Sequence, residues 1–150
     1  MRVAIGSDHA GFVIKEAVIN AVKEAGHEII DFGTTNLERV DFPDYAEKVG
    51  KAVVGGEADR GIAICGSGIG VCIAANKISG IYAGLVSDEF SAHQGVEHDG
   101  MNVMCLAGQI IGPGLAKELV ISFLNAEPLE VDRYKRRQQK IKNIEKELLK

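Results

Sequence analysis

The sequence predicts an α/β fold, a five-stranded parallel sheet with helices on both faces and a helix at the C-terminal end. Three observations predict it. Short apolar runs alternate with segments of helical spacing along the whole chain. Glycine or proline stands at the joints, as at Gly26, Pro43 and Gly55-Gly56. The third apolar run, Ile62-Ala-Ile-Cys65, passes straight into a glycine turn and then a helix. Strands separated by helices need crossovers, which makes the strands parallel and covers both faces.

The elements follow in order. Val3 to Gly6 is a short apolar strand. Ala10 to Ala25 has helical spacing at Ile14, Ala17, Val18, Ala21, Val22 and Ala25, and Gly26 supplies the stop. Glu28 to Phe32 is the second strand. Asp44 to Val54 is a helix just after Pro43, ended by Gly55-Gly56. Gly61 to Cys65 is the third strand, and Val71 to Lys77 the helix beyond its turn. Ile81 to Val86 and Asn102 to Leu106 are strands four and five, separated by a helix that begins near Asp88. Gly114 to Leu124 is another helix, and the tail from about Arg133 carries apolar residues at Ile141, Ile144 and Leu148. No linker, repeat or low-complexity segment interrupts this order, so residues 1–150 read as one domain.

Composition narrows the class. With 150 residues, 46% hydrophobic and 25% charged, the chain suits a compact enzyme domain. No apolar run approaches the ~20 residues that span a membrane, and the start Met1-Arg-Val-Ala-Ile5 is too short for a signal peptide. Three cysteines, an odd number, argue against a disulfide framework and for a reducing cytoplasm. Cys72 and Cys105 are expected in the core. The net charge of −4 hides a basic tail. Arg133, Lys135, Arg136, Arg137, Lys140, Lys142, Lys146 and Lys150 stand there against Asp132, Glu145 and Glu147. An acidic body and no alternation of stacking aromatics argue against nucleic acid. The tail is then either a solvated helix face or a carrier of arginines toward an anionic small molecule, in this subunit or a neighbour.

The glycine turn carries the chemistry. Cys65 and Ser67 stand at the carboxyl end of a strand, where open α/β sheets bind ligands. Backbone amides of Gly66, Ser67, Gly68, Ile69 and Gly70 can face an oxyanion or phosphate, and a thiolate is more available beside such a turn. The plainer alternative is a structural cysteine beside a tight bend. Ser7, Asp8 and His9 follow strand one, and Glu97-His98-Asp99 lies just before strand five. A thiol, a carboxylate and two imidazoles are thereby expected on one edge of the sheet, although Asp8 also suits an N-cap and His98 an exposed helix end. His9, His93 and His98 lack a zinc-like spacing, so no metal is expected. Gly66-x-Gly68-x-Gly70 follows the wrong strand for a dinucleotide site, a P-loop lysine is missing, and Val71 stands where a cysteine phosphatase needs arginine.

Several motifs in one order resemble the type B ribose-5-phosphate isomerases. They are Ser7-Asp8-His9-Ala10-Gly11, Asp31-Phe-Gly-Thr34, Asp41-Phe-Pro-Asp-Tyr-Ala46, Cys65-Gly-Ser-Gly-Ile-Gly70, Ala74-Ala-Asn-Lys77, and Glu97-His98 with Asn102-Val103. The wider family includes the galactose-6-phosphate isomerase subunits. The resemblance implies a Rossmann-like three-layer sandwich, a homodimer with active sites at the subunit interface, and often a dimer of dimers. It implies aldose–ketose isomerisation without metal or organic cofactor. That reaction moves a proton between neighbouring carbons through an enediolate, so it needs a base, an oxyanion site and a grip on the phosphate.

By resemblance Cys65 is the base and the amides of Gly66 to Gly70 hold the enediolate oxygens. Ser67 hydrogen-bonds or shuttles a proton, and His98 and Asp8 assist opening of the furanose ring. His9, Arg133 and Arg137 hold the phosphate, Tyr45 lines the pocket, and Asp99 stands beside the sugar. Three departures bear on the sugar: Asp99 where the family commonly has Asn, Gln109 where it has Arg, and Glu130-Val-Asp-Arg133-Tyr134 in place of Gly-Gly-Arg-His. Aligning Arg133 and Arg137 with the family's two arginines requires a one-residue insertion. Ribose 5-phosphate is the expected substrate. Galactose 6-phosphate, allose 6-phosphate, a tetrose phosphate, or sugar-phosphate binding without catalysis are the alternatives.

Overall fold

A computed structural model describes residues 1–148, so Lys150 of the basic tail lies outside the described residues. The elements are β1 (Arg2–Ser7), α1 (Phe12–Glu24), β2 (Glu28–Asp31), α2 (Phe42–Val54), β3 (Arg60–Cys65) and α3 (Ile69–Ala75). They continue with β4 (Ala83–Leu85), α4 (Glu89–Asp99), β5 (Val103–Ala107), α5 (Pro113–Asn125) and α6 (Asp132–Leu148). The five strands form one parallel sheet in the order β2-β1-β3-β5-β4. Helices α1, α4 and α5 pack together against one face, and α2 and α3 against the other. This is the expected three-layer Rossmann-like sandwich.

The two faces differ in side-chain size, and that difference places α2. Val3, Ile5, Ile62, Ile64, Met104 and Leu106 point toward α1, α4 and α5, where the fully buried Phe123 fills the layer. Burying such a ring contributes roughly 1.5–3 kcal/mol. Toward α2 and α3 the strands present Ala4, Ala63, Cys65, Val103 and Cys105. Small residues let the helix backbone come close. A Cβ on Gly6 would sit 2.8 Å from the Tyr45 carbonyl oxygen, so only glycine permits this approach. Tyr45 is thereby held against the sheet.

Side chains move the element ends away from the sequence expectation. Helix α1 starts at Phe12 rather than Ala10, because Asp8 Oδ1 accepts from the Gly11 N–H at 2.9 Å and shapes a turn first. Helix α3 ends at Ala75, since the next residue, Asn76, turns its amide onto β4. Its Oδ1 accepts from the Ala83 N–H and its Nδ2 donates to the Ala83 carbonyl, both at 2.9 Å. Strand β4 is only Ala83–Leu85, shorter than Ile81 to Val86, because the Tyr82 N–H bonds the Asn102 side chain instead of a neighbouring strand. The buried Arg60 donates to the carbonyls of Phe123 and Ala126 and so ties the end of α5 to β3.

Candidate active site

Strands β1 and β3 are neighbours from which the chain proceeds to opposite sides of the sheet. A crevice opens outside the carboxyl ends of such a pair. Asp8 and His9 leave β1 there, and the turn from Gly66 to Gly70 leaves β3. Asp8 is buried, with its N–H donating to the Ile64 carbonyl at 3.1 Å. His9 Nδ1 accepts from the Val40 N–H at 3.2 Å, so the neutral ring carries its proton on Nε2. The segment leading to Val40 is pinned by buried Lys15, whose Nζ lies 2.8 Å from Asp31 Oδ2 and donates to the Thr34 carbonyl at 2.8 Å.

The Cys65 thiol is 4% exposed and accepts from the Gly68 N–H at 3.2 Å. That bond needs the chain to reverse within three residues, which Gly68 allows at φ 74°. Any side chain there would also collide with Leu85 and lie 3.0 Å from the Leu106 carbonyl carbon. Ser67 is exposed, and its Oγ accepts from the Ile69 N–H at 3.3 Å. Gln109 donates its backbone N–H to the Gly66 carbonyl at 3.0 Å and lays its side chain over Gly66. Tyr45 is half-buried on α2, with Lys48 Nζ 5.3 Å from its ring centre. Phe42, Ile69, Ile73 and Leu85 form an exposed apolar rim on α2, α3 and β4.

His98 and its neighbour Asp99 are not on this edge, which corrects the expectation that both imidazoles gather beside the thiol; Arg133 and Arg137, expected in this subunit's site or a neighbour's, lie away from it too. Helix α4 ends at Asp99 and the chain enters β5 at Val103, paired with Gly61, whereas Cys65 pairs with Ala107. At about 3.3 Å per residue the strand separates the two groups by on the order of 13 Å. A residue ahead of a parallel strand stands at its amino end; closeness to the strand in sequence does not give the edge.

At that far end His98 stacks on Tyr134 with ring centres 4.0 Å apart. The His98 carbonyl accepts from Gln138 Nε2 at 2.9 Å, and Gln94 Nε2 lies 2.9 Å from His98 Nδ1. Arg133 donates to the Tyr134 hydroxyl at 2.9 Å, and Arg137 is exposed one turn along α6. Lower on α6, Glu145 accepts from the Gly80 N–H at 2.8 Å and the Tyr82 hydroxyl at 3.1 Å. Burial, then the carboxylate, raises the Tyr82 phenol above its ordinary range. Asp99 is exposed and lines a groove of ≈ 350 Å³ with Tyr82, Leu85, Met101 and Ile141. The sequence reading missed Gln94, Tyr134 and Gln138. Gln94 had a signal, since it stands four residues before His98 on one helix.

These two sets of groups stand at opposite ends of the sheet. One offers a thiol, a carboxylate, an imidazole and amides; the other offers an imidazole and two guanidinium groups. Among the described residues no group of three His, Cys, Asp or Glu side chains is arranged to hold a metal ion.

Of the other thiols, Cys105 is in the core as expected, but Cys72 is half-buried. A hydrogen bond from Cys105 brings the Cys72 thiol down to about 7, while the same bond and burial push Cys105 well up. Because a lowered thiol pKa means more thiolate near neutrality, Cys72 should be the first cysteine alkylated by iodoacetamide, its rate rising through about pH 7 and then levelling. Peptide mapping by mass spectrometry checks this, and earlier labelling of Cys105 would contradict it.

Residues 3–141 match the family described as Ribose/Galactose Isomerase. The chain is 42% identical over 144 residues to ribose-5-phosphate isomerase B of Escherichia coli K12, covering 96% of each protein. Its fold superposes on ribose-5-phosphate isomerase B of Clostridium thermocellum with a TM-score of 0.94 at 42% identity, covering 99% of each chain. The type B ribose 5-phosphate isomerase of Trypanosoma brucei gives 0.92 at 46% identity, over 95% of this chain and 97% of that one.

Proposed function

The chain belongs to the ribose/galactose isomerase family, and from that membership we propose that it interconverts ribose 5-phosphate and ribulose 5-phosphate. The observation that carries the mechanism is the buried Cys65 thiol at the mouth of a glycine turn, with an N–H already on its sulfur. Cys65 as thiolate removes the proton from C2 of the open-chain aldose. Amides from Gly66 to Gly70 hold the enediolate oxygens, where charge develops. Return of the proton to C1 gives the ketose, with Ser67 placed to hydrogen-bond the neighbouring oxygen. Asp8 and His98 assist opening of the furanose before this step. His9, Arg133 and Arg137 hold the phosphate; the planar guanidinium fork suits its oxygens.

These roles need both sets of groups in one place, so the working unit is a homodimer. The Cys65 end of one protomer meets the end of the other that carries His98, Arg133 and Arg137. The apolar rim of Phe42, Ile69, Ile73 and Leu85 supports this pairing, since exposed apolar patches mark contact surfaces. Among the described residues no helix is long and apolar enough to cross a membrane, and three free cysteines suit a reducing cytoplasm.

Asp99 and Gln109 favour a second reading, the same isomerisation of another aldose phosphate, because one adds negative charge and the other is a neutral amide over the turn. One assay decides: pentose, tetrose and hexose phosphates offered to protein exhaustively treated with EDTA. Ribose 5-phosphate should be the fastest substrate, and chelation should change its rate by less than about twofold, since base and amides do the chemistry. Preference for a hexose phosphate would favour the second reading. Loss of activity restored by one divalent ion would defeat the mechanism.

A further inference from the structure

We propose that Gln94 is a positioning residue that holds His98 in the tautomer with its proton on Nε2, aimed at a sugar oxygen. The inference rests on the isomerase reading above. Gln94 and His98 are four residues apart on α4, so they share a face. The Gln94 amide nitrogen lies 2.9 Å from His98 Nδ1. A carboxamide nitrogen only donates, so with the amide turned this way Nδ1 accepts and the neutral ring keeps its proton on Nε2. Stacking on Tyr134 at an interplanar angle of 18° fixes the ring plane, and Gln138 fixes the His98 carbonyl.

The other polar groups nearby leave this arrangement intact. Glu97 turns to His93 at 3.0 Å, and Arg133 is bonded to the Tyr134 hydroxyl. Among the described residues Nε2 has no hydrogen-bond partner, and no buried side-chain nitrogen or oxygen among them lacks one. Nε2–H therefore opens to the surface. A neutral imidazole in this tautomer donates a hydrogen bond to an oxygen gaining charge, as the ring oxygen does when a furanose opens. A carboxylate at position 94 would draw the proton to Nδ1 instead. The amide, with its nitrogen toward Nδ1, is what selects the outward donor.

The test pairs a spectrum with two kinetic readouts. Long-range proton–nitrogen correlation should show His98 with bare Nδ1 and protonated Nε2 in the unaltered protein. Gln94→Leu should give a mixture of tautomers, and Gln94→Glu should protonate Nδ1. Gln94→Leu should slow isomerisation of cyclic ribose 5-phosphate about fivefold, the worth of one neutral hydrogen bond. Exchange of the ribulose 5-phosphate C1 hydrogen with solvent should stay within about twofold, because that ketose cannot close a five-membered ring and needs only the base. A protonated Nδ1 in the unaltered protein would overturn the proposal. So would a Gln94→Leu protein with unchanged spectrum, or an equal fall in both reactions. If Gln94→Leu does not fold, the unaltered and Gln94→Glu spectra decide. Absence of any turnover in the unaltered protein would overturn the isomerase reading, while the tautomer stands or falls on its spectra.

Discussion

Cys65→Ala should lower turnover of ribose 5-phosphate by about a hundredfold or more, because removing a general base typically costs that much. Substrate binding should change little. The thiol is 4% exposed, and the groups assigned to the phosphate are His9, Arg133 and Arg137. The loss should therefore fall on kcat, with KM within a few-fold. Cys72→Ala is the necessary companion. Its thiol is expected to be alkylated near pH 7, so inactivation by a thiol reagent would not by itself identify the base. Turnover in Cys65→Ala close to that of Cys72→Ala would remove Cys65 from the mechanism.

The second large effect comes from the arginines of α6. Arg133 and Arg137 are one turn apart on an exposed face, so both can reach one anion. Each charged hydrogen bond is worth about 1.5–3 kcal/mol, so losing both should raise KM by about a hundredfold or more. Lys146→Ala, on the same helix and also exposed, is the control for a merely solvated face. A mixing experiment then tests the geometry. Protein carrying Cys65→Ala, combined with protein carrying Arg133→Ala and Arg137→Ala, should form mixed dimers with one intact site. At equal amounts and free exchange, about a quarter of all sites become whole. No recovery after proven exchange would place thiol and arginines of one chain in one pocket, against the separation seen across the sheet.

How much of this was legible in the chain depends on the range of the force that decides it. Short apolar segments revealed all five strands; in the central β1, β3 and β5, burial from both faces demands continuous apolar residues such as Ile62 to Cys65. Element ends were less legible, since single side chains set them. Asp8 delays α1, and Asn76 ends α3 by leaving it for Ala83. The half of the site around Cys65 was readable because a glycine turn after a strand is a local pattern. His98, with its neighbour Asp99, was misplaced. Which edge His98 occupies follows from the direction of β5, and its ring environment from Tyr134, thirty-six residues further along the chain. Neither is written in the spacing of nearby residues.

The amide of Asn76 has one more effect. A sheet can in principle grow without limit by adding strands at its edges, and β4 is an edge. Asn76 occupies the outward N–H and carbonyl of Ala83 as a neighbouring strand would, so growth is terminated on that side by a side chain of the same molecule. Copies of this protein then cannot extend one another's sheets across β4. Crowding at high concentration therefore does not convert this edge into a fibre seed.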